Sequence, residues 1–292
     1  MKAHQRLKPV DLITCIALLT LIITTLVVQP PYVPILLLKY GGLAFILTLL
    51  WRFDNGQFRI VGILHMFYPL IFIPIIFDSF AELLPWASPI DLDPMLIEWD
   101  LALLGTHPTV WLERFIHPWL TEILTWAYTA YYFLPPILAV ALYRRRSVAD
   151  FDRAVFGMML GFYLSYIGYF VVPAVGPRFT LTHLQTMELA GVFWADGIRE
   201  TLDVLERFKQ DAFPSGHTAV VLLVLFYAWH FVRGLFWVFL PVVVALIFST
   251  VYLRYHYVVD VIAGIVVAVL SIGLERVVTR FWIGRPTTDD RR

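Results

Sequence analysis

Apolar residues fill long stretches of this chain, and polar residues are confined to the segments between them. Because a helix that crosses a bilayer needs about 20 apolar residues, each long stretch predicts a membrane span. The predicted spans lie near residues 11–28, 35–51, 60–78, 119–142, 154–173, 216–232, 235–253 and 257–276. The pattern therefore predicts an all-α fold, a polytopic membrane helix bundle of about eight transmembrane helices.

The composition supports an integral membrane protein, since 60% of the 292 residues are hydrophobic and only 15% are charged. A net charge of zero excludes a broadly basic nucleic-acid surface, so no nucleic-acid partner is expected. The single cysteine, Cys15, lies inside the first apolar stretch and cannot form an intrachain disulfide. That stretch ends without a small-residue cleavage site, which predicts a retained span.

The basic residues near the span ends predict the orientation, because cytoplasmic loops are enriched in Lys and Arg. The N-terminal segment carries Lys2, Arg6 and Lys8, so it is predicted to be cytoplasmic. Alternation then places the following residues inside: Arg52, Arg59, Arg144, Arg145, Arg146, Arg233, Arg276, Arg280, Arg285, Arg291 and Arg292. We expect both termini to be cytoplasmic and the protein to lie in the cytoplasmic (inner) membrane.

The stretch KQDAFPSGHTAVV, residues 209–221, sets small and polar residues directly before an apolar run. Pro214 and Ser215 suit a helix start, and Gly216 allows a ligand close to the backbone. The first N–H groups of such a helix have no intrahelical acceptor and attract anions. With His217 one residue further on, the stretch predicts an anion site with an adjacent imidazole.

Two other segments carry matching chemistry. His256 and Asp260 are four residues apart and share one helix face, so the carboxylate can hold the imidazole in one tautomer. Arg178 lies in a Gly-Pro turn and offers a fork of donors that matches phosphate oxygens. The predicted topology puts all three segments at the non-cytoplasmic face. Together they predict phosphoryl chemistry.

The sets GPR, PSGH and H-x3-D, in this order and each beside a span, resemble the signature motifs of the type 2 phosphatidic acid phosphatase superfamily. The resemblance covers roughly Asp91 to Gly264 and is closest to the branch that includes inositol phosphorylceramide synthases. Two motif positions differ: Val171 stands where the superfamily has a Lys, and Thr250 where it has an Arg. Arg254 and Lys209 are the candidate replacements for these charges.

The resemblance implies a six-helix catalytic core and a metal-independent transfer through a covalent phosphohistidine, with no cofactor. His256 would be the nucleophile, Asp260 would orient it, and His217 would act as general acid and then base. The implied phosphate-binding residues are Arg178, Ser215, Gly216, Arg254 and Lys209. The implied substrate is a lipid phosphate or phospholipid, with water as acceptor in a phosphatase and a lipid or sugar hydroxyl in a head-group transferase. We expect residues 1–59 to form a two-helix membrane extension and residues 60–292 the catalytic domain.

Three alternatives stay open at the level of sequence: a metal site built from His217, His256 and Asp260, a lipid transporter or scramblase without catalysis, and an inactive homologue. The oligomeric state is also open. Between the third and fourth spans, Met95, Leu96, Trp99 and Leu103 recur at helical spacing. They predict a short interfacial helix, which is either a lid and lipid-entry wall or a membrane anchor. The Tyr residues at 128, 131 and 132 are predicted to be packing aromatics.

Overall fold

The computed structural model describes residues 7–54, 58–205 and 208–283. These ranges contain helices and no strand, which confirms the all-α prediction. The helices are α1 Pro9–Val28, α2 Val33–Phe53, α3 Arg59–Asp78, α4 Phe80–Ala87, α5 Asp93–Leu104, α6 Pro108–Trp111, α7 Pro118–Thr129, α8 Leu134–Arg144, α9 Val148–Val171, α10 Pro177–Thr180, α11 Ala195–Leu205, α12 Gly216–Phe231, α13 Arg233–Tyr252 and α14 Val258–Ile283.

Six of these helices, namely α1, α2, α3, α9, α13 and α14, are long and apolar enough to cross a membrane. Residues Pro118–Tyr132 and α8 meet at an angle of 49° and together have the length and composition of a seventh span. Pro135 and Pro136 open α8, and proline cannot continue the hydrogen bonding of a preceding helix, which accounts for the break. The chain is therefore an integral membrane protein with a polytopic helical bundle.

The eighth predicted span is α12, an apolar helix of only 16 residues. Its length of about 24 Å is less than the roughly 30 Å of a bilayer core. Most of α12 is buried by protein, because it packs against α8, α9, α13 and α14. Its first residue, Gly216, is buried as well.

Helix α9 is the centre of the bundle and packs against α1, α3, α8, α12 and α14. At one end of the bundle, Lys8 before α1 pairs with Asp152 at 2.9 Å, and Arg153 pairs with Glu275 of α14 at 2.7 Å. At the other end, α9 stops, α12 begins, and the chain turns from α13 into α14. All three motifs lie at this second end. Of the residues used to predict the orientation, Lys2, Arg6, Arg285, Arg291 and Arg292 lie outside the described ranges.

The two N-terminal helices pack on the rest of the bundle. The hydroxyl of Tyr40 in α2 donates to Ser79 Oγ at 2.9 Å, and that of Tyr163 in α9 donates to Thr14 Oγ1 in α1 at 3.2 Å. A boundary between two domains at residue 59 stays a prediction.

Candidate active site

His256 lies in the tight turn between α13 and α14. The backbone N–H groups of Tyr255 and His256 both donate to the Thr250 carbonyl, at 2.9 and 3.0 Å. The Nδ1 atom of His256 lies 2.8 Å from the Ala212 carbonyl oxygen, which can only accept, so Nδ1 carries the proton. Asp260 Oδ2 is further from the same atom, at 3.4 Å. A backbone carbonyl that sequence reasoning missed therefore shares the orienting role predicted for Asp260.

The remaining ring nitrogen of His256, Nε2, holds a lone pair. Burial lowers the pKa of His256 to about 4, with the Asp211 charge opposing that effect and the Arg178 charge adding to it. The imidazole is therefore neutral near pH 7, as a nucleophile must be. Asp260 is fully buried, and its Oδ2 accepts the Tyr257 N–H at 2.8 Å.

His217, the second residue of α12, faces His256. Its Nδ1 lies 3.4 Å from His256 Nε2, and its own Nε2 is buried with no hydrogen-bond partner among the described residues. The ring stacks on Tyr128 at 4.6 Å and contacts Tyr131 at 4.2 Å. These two tyrosines, which were expected to be packing aromatics, pack against His217. Their spacing of three residues, which puts them on one face, is the signal that could have identified them.

The PSGH stretch forms a capped helix N-terminus. Ser215 is the N-cap of α12, and its Oγ accepts the Thr218 N–H at 3.2 Å. The Ser215 N–H donates to the Asp260 carbonyl at 3.0 Å, so α12 and α14 meet at this point. Gly216 and His217 belong to the same first turn, whose N–H groups have no intrahelical acceptor. Ser215 is fully buried, and its hydroxyl serves the helix cap.

The GPR turn is packed directly against the turn that carries His256. Gly176 has a φ of 88°, and a Cβ there would lie 2.5 Å from the Tyr255 carbonyl oxygen, so only glycine fits. The Arg178 guanidinium lies over the Tyr255 ring at 4.6 Å. Its Nη1 donates to Asp203 Oδ1 of α11 at 2.7 Å. Arg178 thus sits beside the histidines with a carboxylate already bound to it.

The two candidate replacement cations occupy different places. Lys209 Nζ donates to the Asp203 carbonyl at 3.0 Å and lies 3.4 Å from Asp203 Oδ1, the same atom that Arg178 contacts. Arg254, at a φ of 68°, donates to Glu113 Oε1 at 2.8 Å and to a loop carbonyl. Lys209 is therefore the neighbour of Arg178, and Arg254 is bound to Glu113.

The predicted short helix is α5, and one of its faces is buried against the protein. Its inward face consists of Asp93, Leu96 and Asp100, all buried, whereas Trp99 and Leu103 are exposed. Asp100 accepts the backbone N–H groups of the first two residues of α14, at 3.0 and 2.9 Å. The carboxylate thus completes the N-terminus of the helix that carries the third motif.

Asp93 joins the first motif to the third. Its two oxygens accept the N–H groups of Val175 at 2.6 Å and Gly176 at 2.8 Å, and one also accepts the Tyr257 hydroxyl at 2.7 Å. Burial raises the pKa of Asp93, and these donors oppose that rise. The sequence showed the acidic residues of this segment but not what they bind.

A cavity of about 950 Å³ begins at His217 and Asp211 and runs between α3, α8 and α9. Apolar and aromatic side chains form most of its walls, and α11 covers part of it through Ile198 and Leu202. The cavity suits an apolar chain attached to a polar group near His217. Within the described residues, no group of three or more His, Cys, Asp or Glu side chains could hold a metal ion.

A family model described as the PAP2 superfamily matches residues 95–274, which is more than half of the chain. The chain belongs to the PAP2 superfamily. The matched range contains all three motifs, and membership supports phosphatase or phosphotransferase chemistry on lipid phosphates. Comparison with curated proteins and with solved structures found no match.

Proposed function

We propose that this PAP2 protein is a membrane lipid phosphatase or phosphotransferase that acts on a lipid phosphoester through a phosphohistidine intermediate. The observation that supports this most directly is the pair of histidines at the head of the apolar cavity. A neutral His256 points its Nε2 lone pair toward His217 Nδ1, 3.4 Å away.

In the first step, His256 Nε2 attacks phosphorus, a P–N bond forms, and the P–O bond to the leaving alcohol breaks. His217, which enters this step as the imidazolium, gives one proton to that alcohol oxygen and becomes neutral. The charge that develops on His256 is stabilised through Nδ1–H by the Ala212 carbonyl and by Asp260. Because in-line displacement places phosphorus between the nucleophile and the leaving oxygen, substrate must part the two rings as it binds.

In the second step, an acceptor hydroxyl gives its proton to His217 and attacks the phosphohistidine, which breaks the P–N bond. Water as acceptor gives a phosphatase, and a lipid or sugar hydroxyl gives a transferase. The same protein groups serve both outcomes.

The phosphate oxygens, where negative charge accumulates, need donors and positive charge. We assign this role to Arg178 and to the N–H groups of Gly216 and His217. Lys209 would be the second cation and would replace the lysine that the superfamily has at the position of Val171. Arg254, also predicted to bind phosphate, is instead bound to Glu113 and takes no part in this scheme. For Ser215, whose Oγ already caps α12, a contact through its O–H hydrogen stays a prediction.

A second candidate, head-group transfer of the inositol phosphorylceramide synthase type, is favoured by one feature of the cavity. Its walls are mostly apolar and aromatic, and such walls limit the water that competes with an alcohol acceptor. The finer assignment rests on the motif resemblance described above.

We also propose that the reaction needs no metal, since Arg178 and the start of α12 supply positive field where phosphate would lie.

The proposed location is the inner membrane with the site facing outward. A cysteine at exposed Thr182 should then react with an impermeant thiol reagent in intact cells that lack Cys15. A cysteine at exposed Arg144, at the other end of the bundle, should react only after lysis. The reverse pattern would invert the orientation.

The main experiment offers the purified protein a radiolabelled lipid phosphomonoester and an inositol phospholipid, each with and without a lipid alcohol acceptor and excess chelator. We expect released phosphate or a transferred head group, unaffected by the chelator, and an acid-labile phosphoenzyme after rapid quenching. Loss of turnover with chelator, restored by a divalent ion, would replace this mechanism with the metal alternative. Lipid movement across vesicles with no product would favour the scramblase alternative.

A further inference from the structure

Asp203 of α11 contacts both Arg178 and Lys209. Its Oδ1 is 2.7 Å from Arg178 Nη1 and 3.4 Å from Lys209 Nζ, and its carbonyl accepts a further bond from Lys209 at 3.0 Å. A carboxylate presents to arginine and lysine the same kind of anionic oxygen that a phosphate does. One protein oxygen therefore lies where a phosphate oxygen would be bound.

The two partners differ in how firmly they are held. Arg178 is 15% exposed, lies over the Tyr255 ring, and has a buried Nε without a partner among the described residues. The Asp203 side chain is 55% exposed and can return to water at little cost. The Arg178 guanidinium is thus held in place and keeps an N–H donor without a partner among the described residues, whereas the Asp203 carboxylate can be displaced from it.

The start of helix α11 is attached to α7. Glu122 accepts the backbone N–H groups of residues 192–195, at 3.0 to 3.3 Å, where this helix begins. Ile198 and Leu202 of the same helix line the cavity. Release of Asp203 would therefore loosen the far end of the helix that covers the cavity while its start stays attached to α7.

We propose that Asp203 occupies the phosphate subsite of Arg178 and Lys209 in the resting protein and is displaced by the phosphate group of the substrate. This inference rests on the proposed function. It makes α11 a cover whose closed position competes with phosphate, so substrate binding and the opening of the cavity are one equilibrium.

Direct binding of inorganic phosphate to the purified full chain in detergent, measured by calorimetry, tests the idea. Asp203→Asn should lower the Kd about three- to tenfold, because it removes the competitor and raises the fraction of protein ready to bind. Loss of a contact that only positions Arg178 would weaken binding instead. Asp203→Glu, which keeps the carboxylate, should restore a Kd near that of the wild type.

Asp196→Asn is the matched control, since Asp196 lies on the same helix, pairs with Arg199 at 2.7 Å and is 59% exposed. It changes net charge equally and should leave the Kd unaltered. Arg178→Gln should abolish binding in the wild-type and Asp203→Asn backgrounds alike. If Asp203→Asn folds poorly by thermal unfolding, Asp203→Ser replaces it in the same comparison.

The outcomes separate the two proposals. If the wild type turns over a lipid phosphoester and binds phosphate through Arg178, yet Asp203→Asn binds no more tightly, the competitor is disproved and the proposed function stands. If phosphate binds to neither protein and no phosphoester is turned over, both proposals fail. If phosphate binds to Asp203→Asn and not to the wild type, the Asp203 carboxylate is a strong competitor of phosphate.

Discussion

At the end of the bundle away from the cavity, His65 of α3 is held between two carboxylates, Asp54 at 2.8 Å from Nδ1 and Asp11 at 3.2 Å from Nε2. At the cavity end, His217 Nε2 has no partner among the described residues, and His256 Nε2 faces only His217 at 3.4 Å. Both sites are buried. The comparison indicates that in a structural imidazole both ring nitrogens are hydrogen-bonded within the protein, whereas a reactive imidazole needs one ring nitrogen that is available to substrate.

The largest effect should follow His256→Ala. Removal of a nucleophile leaves only binding and electrostatic assistance, so we expect turnover to fall by about 10⁴-fold or more. The acid-labile phosphoenzyme should disappear as well, which rapid-quench labelling measures. His183→Ala, at an exposed loop position, is the control. A phosphoenzyme that survives His256→Ala would move the nucleophile elsewhere.

His217→Ala should show which step its free nitrogen serves. With a poor alcohol leaving group the rate should drop by about 10²- to 10⁴-fold, because general acid catalysis is lost. With a nitrophenolate leaving group, which needs little protonation, the loss should be much smaller. Equal losses across leaving groups would mean that His217 only binds phosphate.

His65→Ala should lower the stability of the protein and leave its turnover largely unchanged. Among the described residues, it leaves fully buried Asp11 with the Tyr68 hydroxyl and the Lys8 N–H as its remaining hydrogen-bond donors. Breaking a buried ion pair from one side costs about 3–5 kcal/mol, which reversible unfolding in mild detergent can measure. Turnover per folded molecule should stay near that of the wild type, and a selective loss of turnover would contradict the comparison.

Asp93→Asn should lower both stability and turnover. It leaves buried donors of the GPR turn without a charged acceptor, so we expect a loss of about 1–3 kcal/mol in stability. It also shifts Arg178 relative to His256, for which a loss of about 10- to 100-fold in kcat is reasonable. Asp100→Asn, which affects only the start of α14, is the comparison variant. Substitution of Arg178 should change KM by the same factor in this variant as in the wild type.

The smallest expected effect is that of pH. Protonation of His256 removes its lone pair, so activity is lost as pH falls through its pKa, which burial lowers to about 4. An exposed histidine would cause that loss near pH 6.5. After correction for titration of the substrate, protonation of His256 should therefore lower kcat/KM by less than about threefold between pH 7 and pH 5. An acid limb near 6.5 would place the nucleophile in contact with water.

Much of the fold was predictable because the evidence for it is local in sequence. The length of each apolar run and the start of α12 at Ser215 depend on neighbouring residues only. The prediction gave 119–142 as one span without a break, and α12 as a full span. The bend and the short length follow from proline chemistry and from burial inside the bundle.

By itself the sequence determined the membrane-helix architecture and the family, and it predicted His217, His256, Asp260 and Arg178 as the site residues, because hydrophobic length and motif spacing are properties of the chain. Only the tertiary structure decided which groups those residues meet. The Ala212 carbonyl on His256, the Asp93 bridge between two motifs, and the Asp203 carboxylate on Arg178 each join distant segments. A hydrogen bond needs a separation near 3 Å, and that proximity arises only when the helices pack.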